Sequence, residues 1–156
     1  MVKEGNFNKR SQLPDFFELY KKKVLIIGFG RIGKEVAKRC LGFDMEVYVY
    51  DPFLDSDSIK KNKCIPIEKN EGLALADFIT IHLPLNENTT NFISEVDLKL
   101  MKKNTVLVNT SRGGIVNEDD LYQALEAKKI RGAGMDVYIS EPPKPDHPFF
   151  KLDNIL

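Results

Sequence analysis

The chain is poor in the residues that build disulfide scaffolds or metal clusters: two cysteines and two histidines among 156 residues. Cys40 and Cys64 stand far apart, in no CxxC pair and with no histidine beside either, so neither a disulfide framework nor a zinc ribbon is available. Cys40 falls on the apolar face of a candidate helix and reads as a reduced core thiol. Asp51, Asp55 and Asp57 lack the spacing of a metal-binding loop and read as a solvated surface, so no metal site is expected. Charge of one sign is missing too. The 23 basic and 23 acidic residues cancel, which removes the footprint of a nucleic-acid binder or of a protein held on an anionic membrane. No apolar run approaches the ~18 residues of a spanning helix, and the opening Met1-Val2-Lys3-Glu4-Gly5-Asn6 has no secretory apolar region. The expectation is a cytoplasmic protein with no membrane and no nucleic-acid partner.

What is present is a core-forming composition, 42% hydrophobic and 29% charged, on a length that suits one domain and not two large ones. Residues 1–22 are polar and mixed, and read as an arm or linker with a short helix over Phe16–Tyr20. From residue 23 to 156, strand and helix patterns alternate. Strands are expected at 24–28, 46–50, 78–82, 105–109 and 133–137, with weaker ones at 64–66 and 154–156. Several are near-continuous apolar runs, as parallel strands covered on both faces require. The first helix carries Ile32, Val36, Ala37, Cys40 and Leu41 on one face and is expected to stop at Gly42. A second opens at Ser94 with Asp97 three residues on, a capping-box spacing, and ends in Lys102-Lys103. A third has Asn117 as N-cap, acids in its first turn, Leu121, Ala124 and Leu125 facing inward and Lys128-Lys129 in its last turn. Such alternation gives an α/β fold with an open doubly wound parallel sheet, a single domain.

The densest signal is Gly28-Phe29-Gly30-Arg31-Ile32-Gly33, directly after the strand Val24–Ile27, with Asp51 closing the next strand. The three glycines act differently. Gly28 permits the tight turn, Gly30 lets backbone approach a pyrophosphate, and Gly33 lets helix pack on strand. The pyrophosphate would lie at the N-terminus of the helix starting near Arg31, where free N–H groups and the helix dipole favour negative charge. Asp51 would accept from the adenosine ribose hydroxyls and repel a 2′-phosphate, so the expected cofactor is NAD and an NADP-dependent reductase is disfavoured.

In an open parallel sheet, ligands lie beyond the carboxyl ends of the strands. After 78–82 comes Leu83-Pro84-Leu85; Pro84 either fixes a turn beside the nicotinamide or simply terminates the strand. His82 reads as a structural histidine. After 105–109 comes Thr110-Ser111-Arg112-Gly113-Gly114, where the turn holds Arg112 over the crevice, placed to grip a carboxylate with two parallel hydrogen bonds. After 133–137 come two acids at the same edge, Asp136 and Glu141. Pro142-Pro143 hold the chain extended so that Glu141 can point back at the site; alone it would be an unremarkable loop carboxylate.

Taken in order, Gly28–Gly33, Tyr50-Asp51-Pro52, His82–Leu85, Val108–Val116, Gly134–Val137 and Glu141-Pro142 resemble the cofactor-binding domain of the D-isomer-specific 2-hydroxyacid dehydrogenases. The likeness covers nearly the whole chain, extends to Gly5–Arg10, and is most discriminating over Asn109–Val116. It implies a Rossmann dinucleotide-binding fold and an NAD-dependent oxidoreductase acting on a small 2-hydroxy or 2-keto acid. It makes Arg112 the catalytic substrate-binding arginine and Glu141 the catalytic glutamate. It places Gly28, Gly30, Arg31, Ile32, Gly33, Asp51, Leu83, Pro84, Thr110, Ser111, Arg112 and Asp136 at cofactor-contact positions. Glutamate at 141 also separates the chain from the formate dehydrogenase branch, which is similar overall but carries glutamine there.

The departures matter as much. The family's general acid/base histidine follows the glutamate after a further strand, in a Pro-His turn, and this chain ends inside what looks like that strand, Asn154-Ile155-Leu156. His147 lies too early and in the wrong context to take the role. The family's substrate domain has no counterpart here. The expectation is a chain that binds NAD(H) and turns over no 2-hydroxy acid unaided, with a homodimer plausible because relatives pair through this domain. An alternative is a non-catalytic NAD-sensing or interaction module.

Overall fold

Six short apolar runs become the strands of one all-parallel sheet in the computed structural model, which describes residues 18–156. In chain order the elements are β1 (Lys23–Ile27), α1 (Arg31–Gly42), β2 (Glu46–Tyr50), α2 (Ser56–Lys60), β3 (Ile65–Pro66), α3 (Lys69–Leu75), β4 (Phe78–Ile81), α4 (Glu95–Leu98), β5 (Val106–Asn109), α5 (Glu118–Glu126) and β6 (Gly132–Met135), followed by a 3₁₀ turn at Pro148–Lys151. The strand order is β3-β2-β1-β4-β5-β6. The chain therefore winds outward from β1 in both directions, and the crevice where the winding reverses lies between β1 and β4. Gly5–Arg10, most of the expected arm and the first part of the Phe16–Tyr20 helix lie outside the described residues.

β1 shows why its sequence is apolar without a break. Val24 and Ile26 face one core with Ala37, Val47, Val49 and Ile59, while Leu25 and Ile27 face the other with Leu73, Ile79, Leu107 and Leu121. Leu25, Ile26 and Ile27 are fully buried, each stabilising the fold by about 1.5–3 kcal/mol. In β2 the alternation works the same way, with Val47 and Val49 in one core and Tyr48 and Tyr50 packed on the other.

The expected strands at 46–50 and 64–66 and the Asn117 cap are where the sequence puts them; Asn117 Oδ1 accepts the Asp120 N–H at 3.0 Å. Residues 154–156 run along β6: the Leu156 N–H donates to the Ala133 carbonyl at 3.0 Å, and the Met135 N–H to the Leu156 carbonyl at 2.7 Å. Other expectations are corrected. Gly42 does not stop α1; it is the last helical residue, and the left-handed residue that ends the helix is Asp44, with φ 55°. The Met45 N–H then reaches the Cys40 carbonyl, closing a Schellman-type cap. α5 ends likewise at Lys128, φ 52°, so the two lysines lie past the helix rather than in its last turn. α4 keeps its Ser94–Asp97 capping box but lasts four residues, because the following amides of Leu100 and Met101 take tighter i→i+3 bonds. The aspartate surface hides a short helix: Asp55 caps α2 through the Ser58 N–H at 2.7 Å.

Candidate functional site

The glycine loop divides its work among three residues with different physical constraints. Gly28 has φ 91°, a left-handed conformation, and a Cβ there would stand 2.9 Å from the His82 carbonyl oxygen. A Cβ on Gly33 would collide with the Gly28 carbonyl, which is how closely α1 approaches the end of β1. Gly30 differs. It caps α1, and nothing lies within 4 Å of where its Cβ would be. The space is open on the side a ligand would use. The first helical hydrogen bond runs from Lys34 N–H to the Gly30 carbonyl, so the amides of Arg31, Ile32 and Gly33 precede the ladder at the end of α1 next to that opening. This cradle fits a diphosphate.

Ile32 departs from the expectation. Assigned by periodicity to the apolar core face of α1, it is 64% exposed and stands on the rim of a cleft instead. That cleft, about 670 Å³, is lined by Arg31, Ile32, His82, Leu83, Pro84, Leu85, Thr110, Ser111 and Arg112. Seven of the expected site residues thus meet in one place: Arg31, Ile32, Leu83, Pro84, Thr110, Ser111 and Arg112. Pro84 is more than a strand terminator, since its carbonyl accepts from Thr89 Oγ1 and shapes the turn beside the cleft.

Asp51 lies on the other flank of the glycine loop. Its Oδ2 accepts the Phe29 N–H at 2.8 Å and its Oδ1 the Phe53 N–H at 3.0 Å. The carboxylate is therefore a strut between the glycine loop and the turn after β2, with lone pairs left on both oxygens for sugar hydroxyls. It borders a separate pocket of about 500 Å³ that also holds Glu68 and Glu71, with no lysine or arginine among the described residues that line it.

Asn109 is a residue to which the sequence alone assigned no role. Fully buried at the end of β5, it accepts from both the N–H (3.0 Å) and the Oγ (2.7 Å) of Ser111 and donates to the Arg112 carbonyl at 3.0 Å. These bonds lock the Thr110–Arg112 turn. A signal for this exists: asparagine at a strand end, bonding backbone two residues on, is an Asx-turn signature. Arg112 itself is exposed and rests one nitrogen, Nη1, on the Ser111 carbonyl at 2.6 Å, with further N–H donors for a ligand.

Asp136 and Glu141 are not part of the cleft lining. Asp136 follows β6 and its N–H donates to the Asn109 carbonyl. Glu141 departs from the expectation that the prolines hold the chain extended behind it. The chain bends over 139–142, and Glu141 Oε1 accepts the Tyr138 N–H at 3.0 Å, closing the loop on itself. The same loop crosses the Arg112 turn at close range, since a Cβ on Gly113 would overlap the Tyr138 carbonyl.

Both histidines are engaged. His82 Nε2 bonds Thr80 Oγ1 at 3.0 Å, and burial holds its pKa below the usual 6.5, in the neutral form. His147 Nδ1 accepts the Phe149 N–H at 3.3 Å while Nε2 faces Glu118 Oε2 at 3.4 Å. The Nδ1 bond places the proton of the neutral ring on Nε2.

Known proteins give this arrangement a context. The family model described as D-isomer specific 2-hydroxyacid dehydrogenase, NAD binding domain, matches residues 1–156. A D-3-phosphoglycerate dehydrogenase of Archaeoglobus fulgidus is 40% identical over 99% of this chain, which spans 29% of that protein. Among solved structures, D-lactate dehydrogenase of Aquifex aeolicus with NAD and lactic acid superposes with TM-score 0.86 at 32% identity, covering 99% of this chain and 50% of that one. An acyclic imino acid reductase in complex with NADPH and D-Arg superposes with TM-score 0.80 at 29% identity, over 99% of this chain and 50% of the other. The chain thus spans half or less of these relatives.

Proposed function

The chain belongs to the D-isomer specific 2-hydroxyacid dehydrogenase family as its NAD-binding domain, and from that premise we propose that it carries the cofactor half of a reversible hydride transfer between NAD(H) and a D-2-hydroxy acid or its 2-keto partner. The observation that carries this reading is the meeting of Arg112 with the N-terminus of α1 in one cleft. The amides of Arg31, Ile32 and Gly33 would hold the diphosphate, and Asp51 would accept from the adenosine ribose. Leu83, Pro84, Thr110 and Ser111 line the cleft where the nicotinamide half would lie, with Asp136 beyond that lining at the end of β6. When bound, NAD supplies the hydride acceptor. Arg112 binds the substrate carboxylate and polarises the neighbouring carbonyl with a planar guanidinium. Glu141 orients the imidazole of an acid/base histidine, supplied by the rest of a longer dehydrogenase, and raises its pKa towards neutrality.

The dinucleotide choice rests on side chains, since a relative of the same fold takes NADPH. Asp51, Glu68 and Glu71 border one pocket with no lysine or arginine among its described lining residues, so a 2′-phosphate would meet their negative charge there. Titration with NADH against NADPH tests this; equal affinity would contradict it.

As an isolated polypeptide the chain binds NAD(H) without oxidising 2-hydroxy acids. His82 is bonded to Thr80, and His147 pairs with Glu118 outside the residues that line the cleft. Lack of a proton-transfer residue costs on the order of 10²–10⁴-fold, and lost substrate positioning is worth ~7–11 kcal/mol. D-lactate or D-glycerate oxidation well above background by the purified chain would overturn this. Among the described residues no helix is long and apolar enough to cross a membrane. A cytoplasmic setting is supported by two free cysteines, with burial pushing Cys64 up to about 11 and so out of thiolate chemistry. Sedimentation of the 17.8 kDa chain would test the homodimer expected from the family resemblance.

A further inference from the structure

Glu118 opens α5 beside Asp119 and Asp120, and acids in a helix's first turn ordinarily act through the helix dipole. Its side chain does something else. At 14% exposure it is turned inward, away from water. Oε1 accepts the Ile139 N–H at 2.7 Å, 21 positions along the chain, and Oε2 faces His147 Nε2 at 3.4 Å, 29 positions along. His147 is in turn fixed by the Phe149 N–H and by the edge of the Tyr138 ring, 5.2 Å between centroids. Asp119 sits at the next position and is exposed.

The peptide that Glu118 grips adjoins the one that holds Glu141. The Ile139 N–H goes to Glu118 and the preceding Tyr138 N–H goes to Glu141. On its other side the Tyr138–Ile139 backbone presses on Gly113, the residue after Arg112, with room only because Gly113 lacks a Cβ. We propose that Glu118 is a positioning residue: with His147 it clamps the Tyr138–Ile139 backbone onto the Arg112-Gly113-Gly114 turn and so fixes where the Glu141 carboxylate stands relative to Arg112. The functional sense of this clamp rests on the reading of Arg112 and Glu141 as the residues that serve the reaction.

The test compares Glu118→Ala, Glu118→Gln and Asp119→Asn, the last removing a first-turn charge without touching the clamp. In the 156-residue chain, amide exchange at Ile139 and, beyond the directly severed bond, at Tyr138 should quicken about tenfold or more in Glu118→Ala, since the clamp's hydrogen bond gives way to local opening. Glu118→Gln keeps an acceptor for Ile139 and should restore most of the protection. Asp119→Asn should leave both amides as they are. With the domain placed in a full-length dehydrogenase of the family, Glu118→Ala should lower kcat about tenfold or more with KM for NADH unchanged. Tyr138 exchange and kcat in Glu118→Ala that match Asp119→Asn would overturn the proposal and leave Glu118 a helix-terminal acid. If Glu118→Ala does not fold, His147→Phe keeps the ring packing and removes the contact to Oε2. It should quicken Tyr138 exchange by roughly threefold or more, and no change would likewise overturn the clamp. NADH binding is read separately: a wild-type chain that ignores NADH refutes the proposed function, while the exchange result still decides the clamp.

Discussion

The glycine loop with Asp51 and the Arg112 turn with its covering loop stand at the same carboxyl edge of the sheet, yet they are held by different means. In the first, backbone stands against backbone: Gly33 against the Gly28 carbonyl, and Gly28 against His82 of the neighbouring strand end. In the second, side-chain hydrogen bonds hold the backbone, Asn109 locking the turn beneath Arg112 from three positions away and Glu118 reaching 21 positions to Ile139. A motif of the first kind is rigid because atoms cannot overlap, and one of the second kind only as long as its hydrogen bonds persist. The glycine loop should therefore fail abruptly when a carbon is added, and the arginine turn, Gly113 apart, should loosen by degrees as its hydrogen bonds are removed.

The largest expected effect is Gly33→Ala. Its methyl must displace the Gly28 carbonyl, so the change should cost about 3 kcal/mol or more and abolish NADH binding; a melting temperature within a degree or two of wild type would break the contrast. Leu25→Ala, in the core beneath the loop, should cost about 2–5 kcal/mol by denaturant titration. Asp51→Asn comes next. Its amide nitrogen would face one of the Phe29 and Phe53 donors that the carboxylate now accepts, costing about 1–3 kcal/mol besides weakening NADH, as calorimetry would show. Asn109→Ala should leave the melting temperature lower by only a few degrees but mobilise Ser111 and Arg112 in exchange or NMR relaxation. The smallest effect is pH-dependent. Burial lowers the His82 pKa, so the folded state holds the neutral ring. Its contribution is full above the ordinary 6.5 and is lost as pH falls towards the lower folded value. A His82→Gln variant should show a flatter stability profile on that acid side.

The contrast also explains what the sequence could reveal. Gly28 and Gly33 were legible because each meets a steric demand that only glycine satisfies, Gly30 because it completes their spacing, and β1 because a strand covered on two faces has no polar positions. The core strands carried the doubly wound order for the same reason. Ile32 was misread because helical periodicity assigns an apolar residue to the core, whereas this one lies on the first turn, where the face turns from sheet to ligand cleft. α2 and α3 escaped notice at five and seven residues, too short for periodicity to stand out. Arg112 was legible from its glycines, but the bend at Glu141 and the Glu118 contacts were not. They depend on which residues the sheet brings together after folding, and a local pattern holds no record of that.

Gly30→Ala separates ligand space from structural space most sharply, since a Cβ there meets no protein atom within 4 Å. Calorimetric titration of NADH into the wild-type and Gly30→Ala chains should give clear binding in the first and a loss of about tenfold or more in the second, with melting temperatures within a few degrees of each other. A well-folded wild type that takes up no NADH, or a Gly30→Ala chain that binds it as tightly as wild type, would contradict the account.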